Sequence, residues 1–286
     1  MQEIRPPLGR TAHCPSAPAE FRSLRLGGVR YLNSRPLCDP LPTALPGANI
    51  VYDVPSQLAQ QLEGGRLDVG LVPTVELFRG RGYRVFGDAC VACDGPVWSV
   101  KLLFRVAPPE VRTLAADVGS RTSVILAQVL LDPLAGTRPA ITPLPLDADV
   151  RSTDADAVLL IGDRAMNAPG GFREQWDLGE QWKNWTGLPF VFAAWIGPPR
   201  ADAAALARAL STARDMGVAD IETIIAANAQ THSLGEAQTR EYLTRRLRYS
   251  LTERTWAGLS RFYEQARSLG LVEAPWEAPA NDCIHV

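Results

Sequence analysis

From residue 27 to residue 80 the chain alternates short apolar runs with amphipathic stretches, at a spacing that leaves few folds open. "GGVRYL" reads as a first strand and "ANIVYDV" (48–54) as a second. "PSQLAQQLEGG" then reads as a helix. Pro55 suits its first turn, Leu58 and Leu62 share one face, and Gly64-Gly65 stops it. "LDVGLVP" (67–73) is a strand again, and Pro73 can open a further helix, "PTVELFRG". Strand–helix–strand–helix units with tight connections predict a parallel sheet whose ligands meet the carboxyl ends of the strands. Asn33-Ser34 and Pro73-Thr74 both fall at such ends.

The middle of the chain repeats the pattern. "SVKLLFRV" (99–106) and "VRTLAADV" (111–118) read as strands, and "SRTSVILAQVLL" (120–131) as a helix. "ADAVLLIGD" (155–163) is a buried strand ending at Gly162-Asp163, and "LPFVFAAWIG" (188–197) is an aromatic-rich one. Beyond it the chain turns helical: Leu206, Leu210 and Ala213 are in register, and Leu259, Phe262, Tyr263, Ala266 and Leu269 form an apolar stripe of a core-facing helix. "EYLTRRLRYS" reads as a helix whose Arg245, Arg246 and Arg248 face solvent among acidic neighbours. These elements predict an α/β protein of two lobes. Residues 23–97 plus 196–286 form lobe one and 98–195 lobe two, with a ligand cleft between them. Residues 1–22, rich in Pro, Ala and polar groups, read as a loose arm.

Several function classes drop out. A formal net charge of −2 does not suit a broad nucleic-acid footprint. No apolar run reaches the ~18–20 residues of a membrane span, and residues 1–22 lack the apolar core of a secretory signal, so a cytoplasmic location is expected. Five cysteines do not suggest a disulfide framework. Cys90-Val-Ala-Cys93 is a lone CxxC without two further zinc ligands, and it lies between an apparent strand and "DGPVW" rather than at a helix start. It reads as packing. Nucleotide-binding glycine motifs, HExxH and GxSxG do not occur. His13, His232 and His285 fall outside the strand-end motifs, which disfavours a histidine base.

What remains is a set of polar strand ends and one helix start. In "GSRTSVILAQ", Ser120, Thr122 and Ser123 precede an apolar helix and Arg121 adds a fixed charge. Free N–H groups at a helix start bind anions, although simple capping by Ser120 or Thr122 explains the same residues. A small carboxylate would suit both the strand ends and this helix start.

Six segments, "RYLNSRPL", "GRLDVGLVPTVEL", "GPVWSVKLLF", "SRTSVILAQVLL", "AVLLIGDRAM" and "DLGEQWKNWTGLPFVFAAW", occur in the order found in chorismate dehydratases of the futalosine route to menaquinone. The chain resembles that family over roughly residues 24–270. The resemblance implies the type II periplasmic-binding-protein-like fold: two α/β lobes joined by two crossings, with a ligand cleft between them. It implies elimination of water from chorismate to give 3-[(1-carboxyvinyl)oxy]benzoate, without metal or redox cofactor. Asn33 would then be catalytic, hydrogen-bonding the departing hydroxyl or the enolpyruvyl carboxylate. Ser34 and Ser99 would assist on the same side, and Ser120, Arg121, Thr122 and Ser123 would hold a carboxylate. Asp163 either touches the cleft or caps a turn, and Arg35 either reaches the pocket or serves as a structural partner. Trp98 departs from the smaller or polar residue expected before the Ser-Val strand and reads as a rim residue. No matched motif offers a tuned protein base, so the substrate's own enolpyruvyl carboxylate is the candidate base. The alternatives are a 1,4-dihydroxy-6-naphthoate-forming lyase of the same fold and a non-catalytic small-carboxylate binding protein.

Overall fold

A computed structural model describes residues 21–229 and 234–278. The N-terminal arm expected over 1–22 therefore lies outside the described residues apart from Phe21 and Arg22, and so do His13, His232 and His285. The chain runs β1 (Arg25–Val29), α1 (Arg35–Cys38), α2 (Leu41–Ala44), β2 (Asn49–Asp53), α3 (Pro55–Glu63), β3 (Val69–Pro73), β4 (Arg84–Cys93), β5 (Val100–Phe104) and β6 (Thr113–Asp117). It continues through α4 (Thr122–Ala135), β7 (Ala140–Leu144), β8 (Ala157–Ile161), α5 (Gly162–Met166), β9 (Glu174–Asp177), α6 (Leu178–Thr186) and β10 (Phe190–Gly197). It ends with α7 (Ala203–Ala219), α8 (Ile221–Asn228), α9 (Glu236–Glu241), β11 (Leu247–Ser250) and α10 (Glu253–Ser268).

Two sheets result. The first has the order β11-β4-β10-β3-β1-β2 and the second β7-β6-β8-β5-β9. β1 pairs parallel with β2 and β3, as the strand–helix alternation requires. β10 and β11 enter antiparallel, so the first sheet is mixed. The second is mixed too, with β6 parallel to β7 and β8 while β5 runs antiparallel to β8 and β9. β3 lies inside its sheet and is buried throughout, which explains why "LDVGLVP" reads as an apolar run rather than an alternation. α10 buries the expected stripe of Leu259, Phe262, Tyr263 and Ala266; Leu269 caps it instead of continuing it.

Four expectations change. β10 pairs with β3 and β4, so the return crossing precedes Phe190 and the lobe-two boundary at 195 falls too late. The helix expected after Pro73 is a 3-10 turn, Thr74–Phe78, whose residues are all buried; the tighter winding fits a five-residue piece. The helix expected in "EYLTRRLRYS" divides into a π-helical turn, Tyr242–Arg246, and edge strand β11. Of its three arginines, Arg246 lies over the Trp98 ring rather than on a free helix face. Cys90 and Cys93 are buried on β4. Three positions apart on a strand, they start out toward opposite faces, and burial pushes both thiols up. They pack, as their sequence context suggests.

Candidate functional site

The carboxyl ends of β1, β3, β6 and β8 converge on a cleft of about 590 Å³, part of it open to solvent. Each of these strands hands the chain directly to a helical start. β1 leads to the 3-10 turn Leu32–Ser34 and α1, β3 to Thr74–Phe78, β6 to α4, and β8 to α5. Pro55, at the start of α3, also lines the cleft. Helix starts carry unpaired N–H groups and the positive end of the peptide dipoles, so their convergence favours an anion without any cationic side chain.

The lining bears this out in composition. Its polar groups are Tyr31, Asn33, Ser34, Ser99, Ser120, Thr122 and Ser123; Val29, Val91, Val100, Ile161 and Phe192 supply apolar walls. Among the described residues that line it, none carries a carboxylate, imidazole, amine or guanidinium.

Asn33 is held by its neighbour. The buried Ser34 hydroxyl donates to Asn33 Oδ1 at 2.9 Å, which leaves the amide nitrogen as the free-handed donor. The Tyr242 ring is fully buried, and burial pushes its hydroxyl up. Tyr31, half-buried, is pushed up to about 12, first by burial and then by Asp117 and Asp163. Both phenols therefore stay protonated near neutral pH.

On the opposite wall, Ser120 Oγ accepts from the Ser123 N–H at 3.1 Å, so the capping role is real. Its own proton remains available to a ligand. Thr122 Oγ1 accepts from the Val75 N–H at 3.2 Å and lies 3.5 Å from Thr74 Oγ1. Thr74 itself donates to the Val191 carbonyl. Thr122 thus bridges the lobes while its residue lines the cleft.

Three candidates stand elsewhere. Arg121 Nη1 pairs with Glu76 Oε1 across the lobes at 3.0 Å and does not line the cleft. Asp163 sits in the first turn of α5, beside the lining residue Gly162, and acts on the cleft through its charge on Tyr31 and Tyr242. Arg35 pairs with Asp39 outside the cleft. Gly162 has a φ of +60°, the left-handed backbone that favours glycine.

The approach to Ser99 is unusual. Trp98 has φ of 65°, the one non-glycine with positive φ among the described residues. Its strained backbone is held by Asp177, whose carboxylate accepts from the N–H groups of Val97 and Trp98. The same carboxylate caps α6 through Gly179 and Glu180. Burial nevertheless raises the Asp177 pKa. The Trp98 ring lies under Arg246, 4.5 Å from guanidinium carbon to centroid. Asp177 opens the segment "DLGEQWKNWTGLPFVFAAW", which by itself suggests no contact with Trp98.

Comparison with known proteins fits this geometry. Among solved structures, a protein of Archaeoglobus fulgidus aligns with a TM-score of 0.72 at 14% identity, covering 88% of this chain and 99% of that one. The periplasmic aliphatic sulphonate binding protein SsuA from Escherichia coli aligns with a TM-score of 0.57 at 16% identity, covering 90% and 97%. These likenesses place the fold among the periplasmic binding proteins. A chorismate dehydratase of Thermus thermophilus is 32% identical over 282 residues, covering 91% of this chain and 100% of the relative. The family model for menaquinone biosynthesis matches residues 24–268; with the cleft it spans, that match makes the chain a member of the menaquinone biosynthesis family.

Proposed function

We propose that the cleft removes water from chorismate, giving 3-[(1-carboxyvinyl)oxy]benzoate, as a carbon–oxygen lyase. The observation that carries this reading is a donor-rich cleft whose described lining holds no titratable base. Chorismate has two carboxylates, a ring hydroxyl and, on the adjacent carbon, a proton beside the enolpyruvyl ether. Losing that hydroxyl and that proton makes a benzene ring, and aromatisation supplies the driving force. The protein mainly has to hold the dianion and organise one proton transfer.

The roles follow from the donors. The α4 start, with the Ser120 and Ser123 hydroxyls, holds one carboxylate. Asn33, with its amide nitrogen free, and Ser99 face the enolpyruvyl carboxylate and the departing hydroxyl from the other wall. That carboxylate can reach the ring proton through a six-membered arrangement, so it serves as the base: it takes the proton, the C–H electrons form the new ring double bond, and the hydroxyl leaves with its electron pair, receiving that proton from the new carboxylic acid to depart as water and restore the carboxylate. Fixed proximity makes such an intramolecular transfer efficient. The apolar walls keep water out and strengthen each hydrogen bond.

Purified protein incubated with chorismate tests the reading by ultraviolet spectrum and product mass. Loss of one water with an aromatic product is the expected result. Binding without turnover would assign a receptor, as in the sulphonate-binding neighbours, and absence of both would overturn the reading.

A further inference from the structure

The Asp177 carboxylate accepts from four backbone N–H groups. Two belong to the first turn of α6, Gly179 at 3.0 Å and Glu180 at 3.2 Å, and make an ordinary helix cap. The other two belong to Val97, at 2.9 and 3.0 Å from the two oxygens, and Trp98, at 2.6 Å. Capping does not call for them. Val97 and Trp98 stand just before β5, where the chain crosses from the first sheet to the second. There the Ser99 N–H donates to the Val97 carbonyl at 2.8 Å. With φ of 65° at Trp98, this bond closes a γ-turn of the rare, strained kind. The Ser99 carbonyl in turn accepts from the Gly162 N–H at 2.8 Å. Val97, Ser99 and Gly162 all line the cleft, so the turn shapes its wall directly.

We propose that Asp177 is a positioning residue of this cleft: its carboxylate clamps the γ-turn at Trp98 and so aims the Ser99 hydroxyl at the substrate. Asp177 does not itself line the cleft, so it acts through Ser99. Its own place is fixed from two sides. β9 pairs it with Lys101 of β5. The start of α6 is seated against the crossing, since an added Cβ at Gly179 would lie 2.6 Å from both Cys93 Sγ and the Gly95 carbonyl oxygen. An ionised acceptor bonds N–H groups roughly twice as strongly as a neutral one, which suits a strained turn. Left-handed backbone at a bulky residue persists only where its surroundings over-determine it. Released, Trp98 returns to negative φ, the 98–99 peptide turns, and Ser99 loses both its bond to Gly162 and its place in the wall. Assigning the Ser99 hydroxyl to chorismate rests on the dehydratase reading; the clamp itself does not.

A double-mutant cycle on the full chain tests it, with Asp177→Ser, Ser99→Ala and the pair. Serine caps a helix about as well as aspartate but is too short to reach Val97 and Trp98, so this variant separates the clamp from the cap. In chorismate turnover, Asp177→Ser is expected to lower kcat roughly 10- to 100-fold with KM changed less than about threefold. In the Ser99→Ala background the same change is expected to alter kcat by less than about twofold, because the hydroxyl it positions is gone. Additive losses in kcat, or full kcat in Asp177→Ser, would overturn the proposal. Amide hydrogen exchange reads the clamp without turnover. Val97 and Trp98 are expected to be protected in the wild type and to exchange at least about 10-fold faster in Asp177→Ser, while α6 keeps its protection. Unprotected Val97 and Trp98 in the wild type, or faster exchange in α6 but not at 97–98, overturns it. A wild type that leaves chorismate untouched while both amides are protected would sink the dehydratase reading and keep the clamp. If Asp177→Ser does not fold, Asp177→Asn, which keeps the shape and turns one acceptor oxygen into a donor, is expected to lower kcat in the same way, and full kcat there overturns the proposal.

Discussion

Ser34 does its work on Asn33 before any ligand arrives. By donating to Oδ1, it selects which end of the amide faces the cleft. Asn33→Ala is expected to lower kcat by about 10²- to 10³-fold, the scale of one preorganised donor in a dry site, with a smaller change in KM; steady-state kinetics on chorismate check it. Ser34→Ala, which only frees the amide to rotate, is expected to cost about 1 kcal/mol in the barrier, the worth of an ordinary hydrogen bond. Tyr31 predicts a pH effect. Its folded pKa of about 12 lies above the ordinary tyrosine value, so the folded state prefers the neutral phenol. The stability this contributes is complete below the ordinary value and is lost as pH rises through about 12. Urea midpoints measured upward from about pH 9 are expected to fall less in Tyr31→Phe than in the wild type, since tyrosine ordinarily titrates near 10. Asn33 and Ser34 were legible because polar residues stood where a strand must end. Tyr242 was not, because nothing local in "EYLTRRL" marks that its ring will be fully buried. Arg121 looked like a ligand-holding cation because its partner, Glu76, lies in the other lobe, and no sequence spacing announces that pairing.

Among the elements, the parallel strands β1, β2 and β3 were readable, and the other edge strands were not. β1, α3 and β3 have uniform apolar content or clear helical spacing. β7 is "AITPL" with four of its five residues exposed, β9 is "EQWD", and β11 is "LRYS". Edge strands need no alternating apolar face and tolerate proline, so their sequences resemble loops. The sheet partner creates them. The crossing at Trp98 is similar: its left-handed backbone comes from Asp177 and the π-turn, not from local propensity. That crossing carries its own prediction. Replacing Trp98 removes the ring in both Trp98→Ala and Trp98→Gly, but only glycine relieves the backbone. Trp98→Gly is expected to be more stable than Trp98→Ala by roughly 1–2 kcal/mol, the cost of a left-handed L-residue. Urea unfolding of the two variants decides it, and a more stable alanine variant would mean that the positive φ costs nothing here.

Across the whole molecule, polar contacts join the lobes beside the cleft, in addition to apolar packing such as Trp182 against Phe190 and Phe262. Val75 donates to Thr122, and Arg121 pairs with Glu76, whose side chain is 1% exposed against 18% for the arginine. Both contacts join the 3-10 turn after β3 to the first residues of α4, the helix start proposed to hold a carboxylate. The contact between the lobes therefore both buries Glu76 and aims that helix start. Glu76 also has Arg79 of its own lobe at 3.5 Å, so it keeps one partner when Arg121 is removed. Arg121→Gln is then expected to destabilise the fold by less than the roughly 3–5 kcal/mol of a fully stranded buried charge. Its main effect falls on closure. If only a fraction of molecules is closed, apparent affinity falls by that fraction while the chemistry of the closed form is untouched. Arg121→Gln is expected to raise KM several-fold with kcat little changed, and to increase the radius of gyration of the ligand-free protein in small-angle X-ray scattering. Saturating chorismate should return that radius to the wild-type value, because a ligand that binds only the closed form draws the population back. A variant whose kcat falls at unchanged KM and unchanged radius would place Arg121 in the chemistry instead of the latch.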